Sequence, residues 1–95
     1  MQLSLPELAA LVGGRYAETP DPALQVSNFA TLKDAGEGDV TFYSNPKYLA
    51  ALKKCHATVV LVPLDFQEKV PPVCLRVENP TRSFTEIVTR FAPPP

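Results

Sequence analysis

Two aromatic residues separated by an Asn-Pro pair are the residues of this sequence best suited to hold a flat ligand. Phe42 comes at the end of a predicted strand, and Tyr48 falls in the first turn of a predicted helix. Asn45 and Pro46 set the turn between them, because Asn is favoured as a helix N-cap and Pro at the first helical position. Two rings brought together by such a corner could hold a nucleobase between their faces.

Other groups at this corner could contribute to binding. Asn45 could offer an amide donor and acceptor to the edge of a base, which is the pattern that uracil needs. A helix N-terminus provides backbone N–H groups and a partial positive charge, both suited to an anion. Lys47, in the same turn, is a candidate phosphate contact. Crevices at the carboxyl ends of strands are the usual ligand sites of α/β sheets, so the position fits a binding site.

Each of these residues also has a purely structural explanation. An aromatic residue at a strand end is more often part of the core, and a lysine is usually just solvated. Asn before Pro is more often a plain helix cap, and the sequence uses the same pair again at Asn79-Pro80. Spacing alone therefore leaves the nucleotide site and the structural reading both open.

Three helices can be predicted from their start and stop signals. The first begins with Ser4 and Glu7 as a capping box and ends at Gly13-Gly14. The second is predicted over 46–54 with Asn45 as its cap. The third follows Asn79-Pro80, with a stripe of apolar residues at i, i+3, i+4 and i+7: Phe84, Ile87, Val88 and Phe91.

Four strands are predicted between the helices, over 24–29, 39–43, 58–62 and 73–77. The last two are apolar on both faces, which indicates central strands covered by helices. The predicted fold class is therefore α/β: a small single domain with a mixed sheet packed against about three helices. The strand order is left open by the pattern.

Composition limits the function classes. The chain has 95 residues, of which 45% are hydrophobic, enough for one modest core. A formal charge of −1 without a basic cluster argues against nucleic acid as a partner. The apolar run 59–62 is too short to span a bilayer, and the N-terminus does not resemble a signal peptide. Cys55 and Cys74 have no metal or redox spacing and are expected to be reduced, so we expect a cytoplasmic domain with no metal and no cofactor.

The corner resembles the Phe-x-x-Asn-Pro-x-Tyr signature of the UDP-3-O-acylglucosamine N-acyltransferase family of lipid A biosynthesis. Residues 32–42 are similar to the family's Leu-x-x-Ala-x-x-Gly-Asp-x-x-Phe segment before the signature, and 77–84 to its Val-x-Asn-Pro-x-x-x-Phe segment. The closing Phe-Ala-Pro-Pro at 91–94 resembles the family's approach to its interdomain linker. The resemblance covers nearly the whole chain.

The resemblance implies a binding role for this chain. In that family the N-terminal domain binds the uridine part of the sugar nucleotide, with the uracil stacked between aromatic rings. The residues that carry over are Phe42, Asn45 and Tyr48. The resemblance also implies a fold similar to the uracil-binding first domain of Mur ligases. It divides the chain into a uridine-nucleotide-binding domain over 1–92 and the start of a proline-rich linker over 93–95.

The resemblance places the chemistry outside these residues. In the family a histidine of a left-handed β-helix domain serves transfer of a 3-hydroxyacyl chain from acyl carrier protein to the glucosamine 2-amine of UDP-3-O-acylglucosamine. The intact enzyme is expected to be a homotrimer and the fragment a monomer. His56 matches no catalytic motif and is expected to have a surface or capping role. The alternative is a non-catalytic protein-interaction module that uses the exposed aromatic corner.

Overall fold

Seven short strands and three α-helices make up the chain in the computed structural model, which describes residues 2–91. The strands are β1 (Leu3–Ser4), β2 (Arg15–Tyr16), β3 (Gln25–Val26), β4 (Asn28–Phe29), β5 (Asp39–Phe42), β6 (Val59–Pro63) and β7 (Val73–Val77). The helices are α1 (Leu5–Val12), α2 (Leu49–Lys53) and α3 (Pro80–Phe91). A 3₁₀ turn, Pro46–Tyr48, precedes α2 directly.

Five of the strands form one mixed sheet in the order β2-β7-β6-β5-β4. The neighbours from β4 to β7 are parallel, whereas β2 is antiparallel to β7 at the edge. In the centre, Leu61 of β6 is in register with Phe42 of β5 and with Leu75 of β7. The remaining strands, β1 and β3, pair as a separate antiparallel ribbon. These findings confirm the predicted fold class of a mixed sheet with three helices.

The sheet separates two hydrophobic clusters because successive side chains of a strand point to opposite faces. We call the face covered by α1 and α3 the α3 face. Its buried residues are Leu5, Leu8, Val26, Val40, Val59, Leu61, Leu75, Val77 and Ile87. We call the opposite face, covered by α2, the α2 face. Its buried residues are Ala35, Tyr43, Leu52, Cys55, Ala57, Val60, Val62 and Phe66.

The predicted caps of α1 and α3 are confirmed. The Glu7 N–H donates to Ser4 Oγ at 3.3 Å, and the Ser4 N–H donates to Glu7 Oε1 at 3.1 Å. Gly13 ends α1 in the left-handed region at φ 66°, where a residue without Cβ is favoured. Asn79 Oδ1 accepts from the Arg82 N–H at 3.1 Å at the start of α3.

Two predicted elements are divided in the structure. The predicted helix 46–54 begins as a 3₁₀ turn, and only its second half is α-helical. The predicted strand 24–29 is two strands, because β3 pairs with β1 whereas β4 pairs with β5. Strands β1 and β2 were not predicted, since two residues are too few to show a periodic pattern.

Two further points concern the ends of the chain and membranes. Residues 93–95, predicted as the start of a linker, lie outside the described residues, so the division into 1–92 and 93–95 stays a prediction. Within residues 2–91, the helices fall short of the length and apolar character needed to cross a bilayer.

Candidate functional site

A cavity of about 380 Å³ opens at the carboxyl end of β5, next to the segment that follows β4. One wall is the turn segment of Thr31, Leu32 and Lys33; the residues that line the rest are Phe42, Tyr43, Ser44, Asn45, Tyr48 and Ala51. The position is the crevice beyond the strand ends where α/β sheets usually bind ligands. The residues of the aromatic corner therefore meet around one space.

Phe42 and Tyr43 point to opposite faces of the sheet, as the sequence predicts. Tyr43 is 7% exposed and packs on the α2 face against Phe66, with ring centroids 5.3 Å apart. Phe42 is half-buried on the α3 face and also lines the cavity. Its ring lies against that of Phe84, with centroids 4.6 Å apart and planes inclined by 34°. Tyr43 is thus a core residue, and Phe42 is the one whose ring reaches both core and cavity.

The sequence did not indicate that Phe84 supports Phe42. Its spacing in α3 indicated only a core residue. In the structure the Phe84 ring contacts Phe42 and also meets Phe29 edge-on, with centroids 6.1 Å apart and planes at 88°. Phe84, itself packed against Phe29, thus holds the Phe42 ring at the edge of the core. The signal available in the sequence was that Phe84 is an aromatic residue in the predicted apolar stripe of the last helix.

Tyr48 also lines the cavity and lies in the 3₁₀ turn that leads into α2, whose Leu52 packs on the α2 face. The Tyr48 side chain is 41% exposed, and within residues 2–91 only Leu64, at 60%, is also a large hydrophobic residue with high exposure. Phe42 packs on the α3 face, Tyr48 comes from the turn before the helix on the α2 face, and both line the same cavity. Two aromatic rings lining one cavity could cover both faces of a flat ring.

Asn45 caps the 3₁₀ turn and keeps a free donor. Its Oδ1 accepts from the Lys47 N–H at 3.0 Å, as expected for an N-cap. Its Nδ2 has no hydrogen-bond partner among the described residues. A ligand carbonyl in the cavity could accept from that amide group.

The expectation that this helix start offers free N–H groups to an anion is wrong. Pro46 has no N–H, and the Lys47 N–H is bound by the Asn45 side chain. The Tyr48 N–H donates to Asn45 O at 2.9 Å, and the Leu49 N–H donates to Pro46 O. The tight 3₁₀ geometry uses the donors that the first turn of an α-helix would leave unpaired.

Two lysines lie near the corner, and only one of them lines the cavity. Lys47 is exposed and carries its Nζ 5.6 Å from the centroid of the Tyr48 ring, within cation–π range. Lys33 lines the cavity on the opposite wall. Lys33 was missed because nothing in the sequence of its turn indicates that the segment faces the corner. His56 is exposed after α2 and is not a residue of the cavity wall.

A second cavity lies between the end of α1 and the start of α3. Its volume is about 560 Å³, and it is lined mainly by polar residues. Two of them, Arg82 and Glu86, already pair with each other at 3.5 Å and are exposed. In the described part of the chain, no three His, Cys, Asp or Glu side chains come together as a metal site. The aromatic cavity is therefore the better candidate for a ligand.

Comparison with known proteins places the chain in one family. The sequence profile of UDP-3-O-(3-hydroxymyristoyl) glucosamine N-acyltransferase, LpxD, matches residues 23–90, which include all the cavity residues. Proteins called UDP-3-O-acylglucosamine N-acyltransferase are similar over almost the whole chain. The one from Methylacidiphilum infernorum is 34% identical over 92 residues, and the one from an Anaeromyxobacter species is 42% identical over 94 residues.

The matches cover 97% and 99% of this chain but 26% of each relative. A third, from Myxococcus xanthus, is 35% identical over 94 residues, again 26% of its length. The chain thus spans about a quarter of the length of these relatives. The family match confirms the resemblance that the signature at Phe42, Asn45 and Tyr48 predicted: the chain belongs to the LpxD family of UDP-3-O-acylglucosamine N-acyltransferases.

Proposed function

We propose that this chain is the N-terminal substrate-recognition domain of a UDP-3-O-acylglucosamine N-acyltransferase and binds the uridine part of its substrate. The observation that carries the proposal is that Phe42, which packs on the α3 face, and Tyr48, from the turn before α2, line one cavity. Asn45, between them in the sequence, has an amide donor without a partner among residues 2–91. A pyrimidine ring stacked between the two aromatic rings would present its carbonyl groups to such a donor.

In the longer protein, the uridine site would hold a UDP-3-O-acylglucosamine molecule for reaction elsewhere. We propose that the remaining domain supplies a histidine as general base and takes a 3-hydroxyacyl chain from acyl carrier protein to the glucosamine 2-amine. This step belongs to lipid A biosynthesis in the cytoplasm, and the intact enzyme would be a homotrimer. The match covers only 26% of the length of the relative from Methylacidiphilum infernorum, so the rest of that relative is long enough to contain such a domain.

The isolated domain should bind a uridine nucleotide weakly. Stacking on an aromatic side chain contributes about 1–3 kcal/mol per base. Two rings and a few hydrogen bonds then correspond to a dissociation constant of roughly millimolar to tens of micromolar. The binding energy of the acylated sugar would add to this in the intact enzyme.

A titration of the domain with UDP, followed by amide chemical shifts in NMR, tests the proposal. Saturable shifts clustered at 31–33 and 42–48, and lost in the double variant Phe42→Ala/Tyr48→Ala, would support it. His56→Ala should leave the affinity for UDP unchanged, since His56 lies away from the cavity wall. The absence of any shift at millimolar UDP would count against a nucleotide site in this domain.

A protein-interaction module is the second candidate. Tyr48 and Leu64 are exposed, and they follow the carboxyl ends of the neighbouring strands β5 and β6. Exposed apolar side chains at one end of a sheet can dock a partner protein or a neighbouring domain. Competition with free UDP tests whether the two functions share a surface, because UDP displaces a partner protein only if both bind at Tyr48.

A further inference from the structure

The main chain of Phe42 forms an open hydrogen-bonding edge in the cavity, and we propose that this edge recognises the imide group of the uracil ring. The inference deepens the proposed function and rests on it: the cavity must bind a uridine nucleotide. Such an edge would distinguish uracil from other bases. The groups involved are one backbone N–H and one backbone C=O, beside the Asn45 amide.

The edge is open because the pairing of β4 with β5 stops early. The last pair in register is Phe29 with Val40, and the last bond of the ladder runs from the Ala30 N–H to Val40 O at 3.1 Å. The chain then turns away at Thr31, whose carbonyl accepts from two N–H groups of the following turn. The next residue of β5 on the same edge is therefore left without a strand partner.

That residue is Phe42. Peptide groups along a strand point alternately to its two sides, and the Tyr43 N–H donates to Leu61 O on the β6 side at 2.8 Å. The N–H and C=O of Phe42 therefore point to the β4 side, where the segment of Leu32 and Lys33 forms the facing cavity wall. Within residues 2–91 neither group of Phe42 has a hydrogen-bond partner on that side.

Uracil matches this edge in chemistry. Its N3–H donor lies next to a ring carbonyl, so the ring can donate to the Phe42 C=O and accept from the Phe42 N–H. Two such bonds repeat the exchange that two paired residues make in an antiparallel sheet. In the orientation that pairs the uracil C4 carbonyl with the Phe42 N–H, cytosine would set its N3 lone pair against the Phe42 C=O and its amino group against the Phe42 N–H. A buried mismatch of this kind is strongly rejected in polar recognition.

The placement also agrees with the stacking residues. A ring bonded to the Phe42 main chain would lie in the plane of the sheet, as a further strand would. The Phe42 side chain packs on the α3 face, and Tyr48 lies in the turn that leads into α2 on the opposite face, so the two rings could cover both faces of the base. The second carbonyl of uracil would accept from Asn45 Nδ2, since Asn45 Oδ1 already serves as the cap.

Binding of three nucleotides to the wild-type chain tests the inference: UDP, CDP and N3-methyluridine 5′-diphosphate. We expect CDP and the N3-methyl compound each to bind at least about tenfold more weakly than UDP. In ¹⁵N-labelled protein, the Phe42 amide proton should move downfield with UDP. The variant Asn45→Ser, which keeps a good N-cap residue, should still prefer UDP to CDP.

Two results would overturn the inference and leave the proposed function intact. One is equal affinity for UDP and CDP; the other is an unmoved Phe42 amide proton while the Tyr48 ring resonances shift. Loss of the preference for UDP in Asn45→Ser would assign the recognition to that side chain and also contradict the inference. If UDP does not bind at all, the proposed function itself fails, and the inference with it.

Discussion

The ring of Phe84 in α3 lies against the ring of Phe42 in β5, with centroids 4.6 Å apart and planes inclined by 34°. One side of Phe42 is thus held by the core, and the residue also lines the cavity. Phe84 does not line the cavity itself, so we expect its effect on a ligand to act through Phe42. This makes Phe84 a positioning residue for the proposed stacking site.

Replacing Phe84 should therefore weaken binding as well as stability. An aromatic pair contributes about 0.5–1.5 kcal/mol beyond its buried area, so Phe84→Leu should lower the affinity for UDP several-fold as Phe42 loses its support. Calorimetric titration measures the affinity, and urea denaturation measures the free energy of unfolding.

Phe29→Leu is the matched control, because Phe29 meets the Phe84 ring edge-on at 6.1 Å but is not a residue of the cavity wall. It should reduce stability with a smaller effect on UDP. Equal losses of affinity in the two variants would argue that Phe84 acts only through general stability.

The two lysines near the corner are expected to differ in their effect on the diphosphate. Lys33 lines the cavity, whereas Lys47 lies over the Tyr48 ring. An exposed ion pair contributes up to about 1 kcal/mol, so Lys33→Met should weaken UDP binding up to about fivefold. The affinity for uridine, which has no phosphate, should stay the same.

Lys47→Met is the matched control for the lost charge. The ratio of UDP to uridine affinity, measured in low and moderate salt, reports the phosphate contact because screening weakens exposed charge pairs. A fall of that ratio in Lys47→Met but not in Lys33→Met would assign the contact to Lys47, as the sequence alone suggested.

A buried hydroxyl in β5 is expected to cost stability. Thr41 is fully buried, and its Oγ1 has no hydrogen-bond partner among the described residues. Burying a polar group without a partner costs about 1–3 kcal/mol, so Thr41→Val, similar in shape, should raise the free energy of unfolding by roughly 1 kcal/mol. Urea denaturation measures this change. A loss of stability instead would mean that the hydroxyl is satisfied in solution.

Stability should fall at high pH because of Tyr16. Burial raises the pKa of this phenol above its ordinary value of 10.0, and its O–H donates to Leu5 O. A folded-state pKa above the unfolded one gives stability that is complete below pH 10 and is lost as the pH rises above it. Urea denaturation between pH 8 and about 11 should show this fall, and Tyr16→Phe should reduce its slope. An unchanged slope in Tyr16→Phe would assign the fall to other groups.

Local signals in the sequence were sufficient for most of the fold. The capping box at Ser4 and Glu7 and the Asn-Pro pair at Asn79 identify helix starts because they satisfy specific backbone donors. The β-branched run of β6 identifies a central strand because both of its faces must be covered. The strand order and the ribbon of β1 with β3 depend on pairing between distant segments, which local patterns do not record.

The candidate site could be predicted in its motif but not in its environment. Phe42, Asn45 and Tyr48 come from one continuous segment, so their spacing and the family resemblance were enough to identify them. Lys33 and Phe84 reach the site through the β4–β5 turn and α3, and only the folded sheet brings these segments to the corner. The 3₁₀ start of the second helix was missed because Asn-Pro is equally typical of an α-helical first turn.

The most direct measurement of the central claim is the dissociation constant of UDP, by calorimetry, for the wild type, Tyr48→Ala and Leu64→Ala. Both side chains are exposed, so neither change should unfold the protein, but only Tyr48 lines the cavity. Loss of one stacking ring, about 1–3 kcal/mol, predicts roughly 5-fold to 150-fold weaker binding for Tyr48→Ala and no change for Leu64→Ala. Equal affinity for UDP in all three proteins would contradict the account.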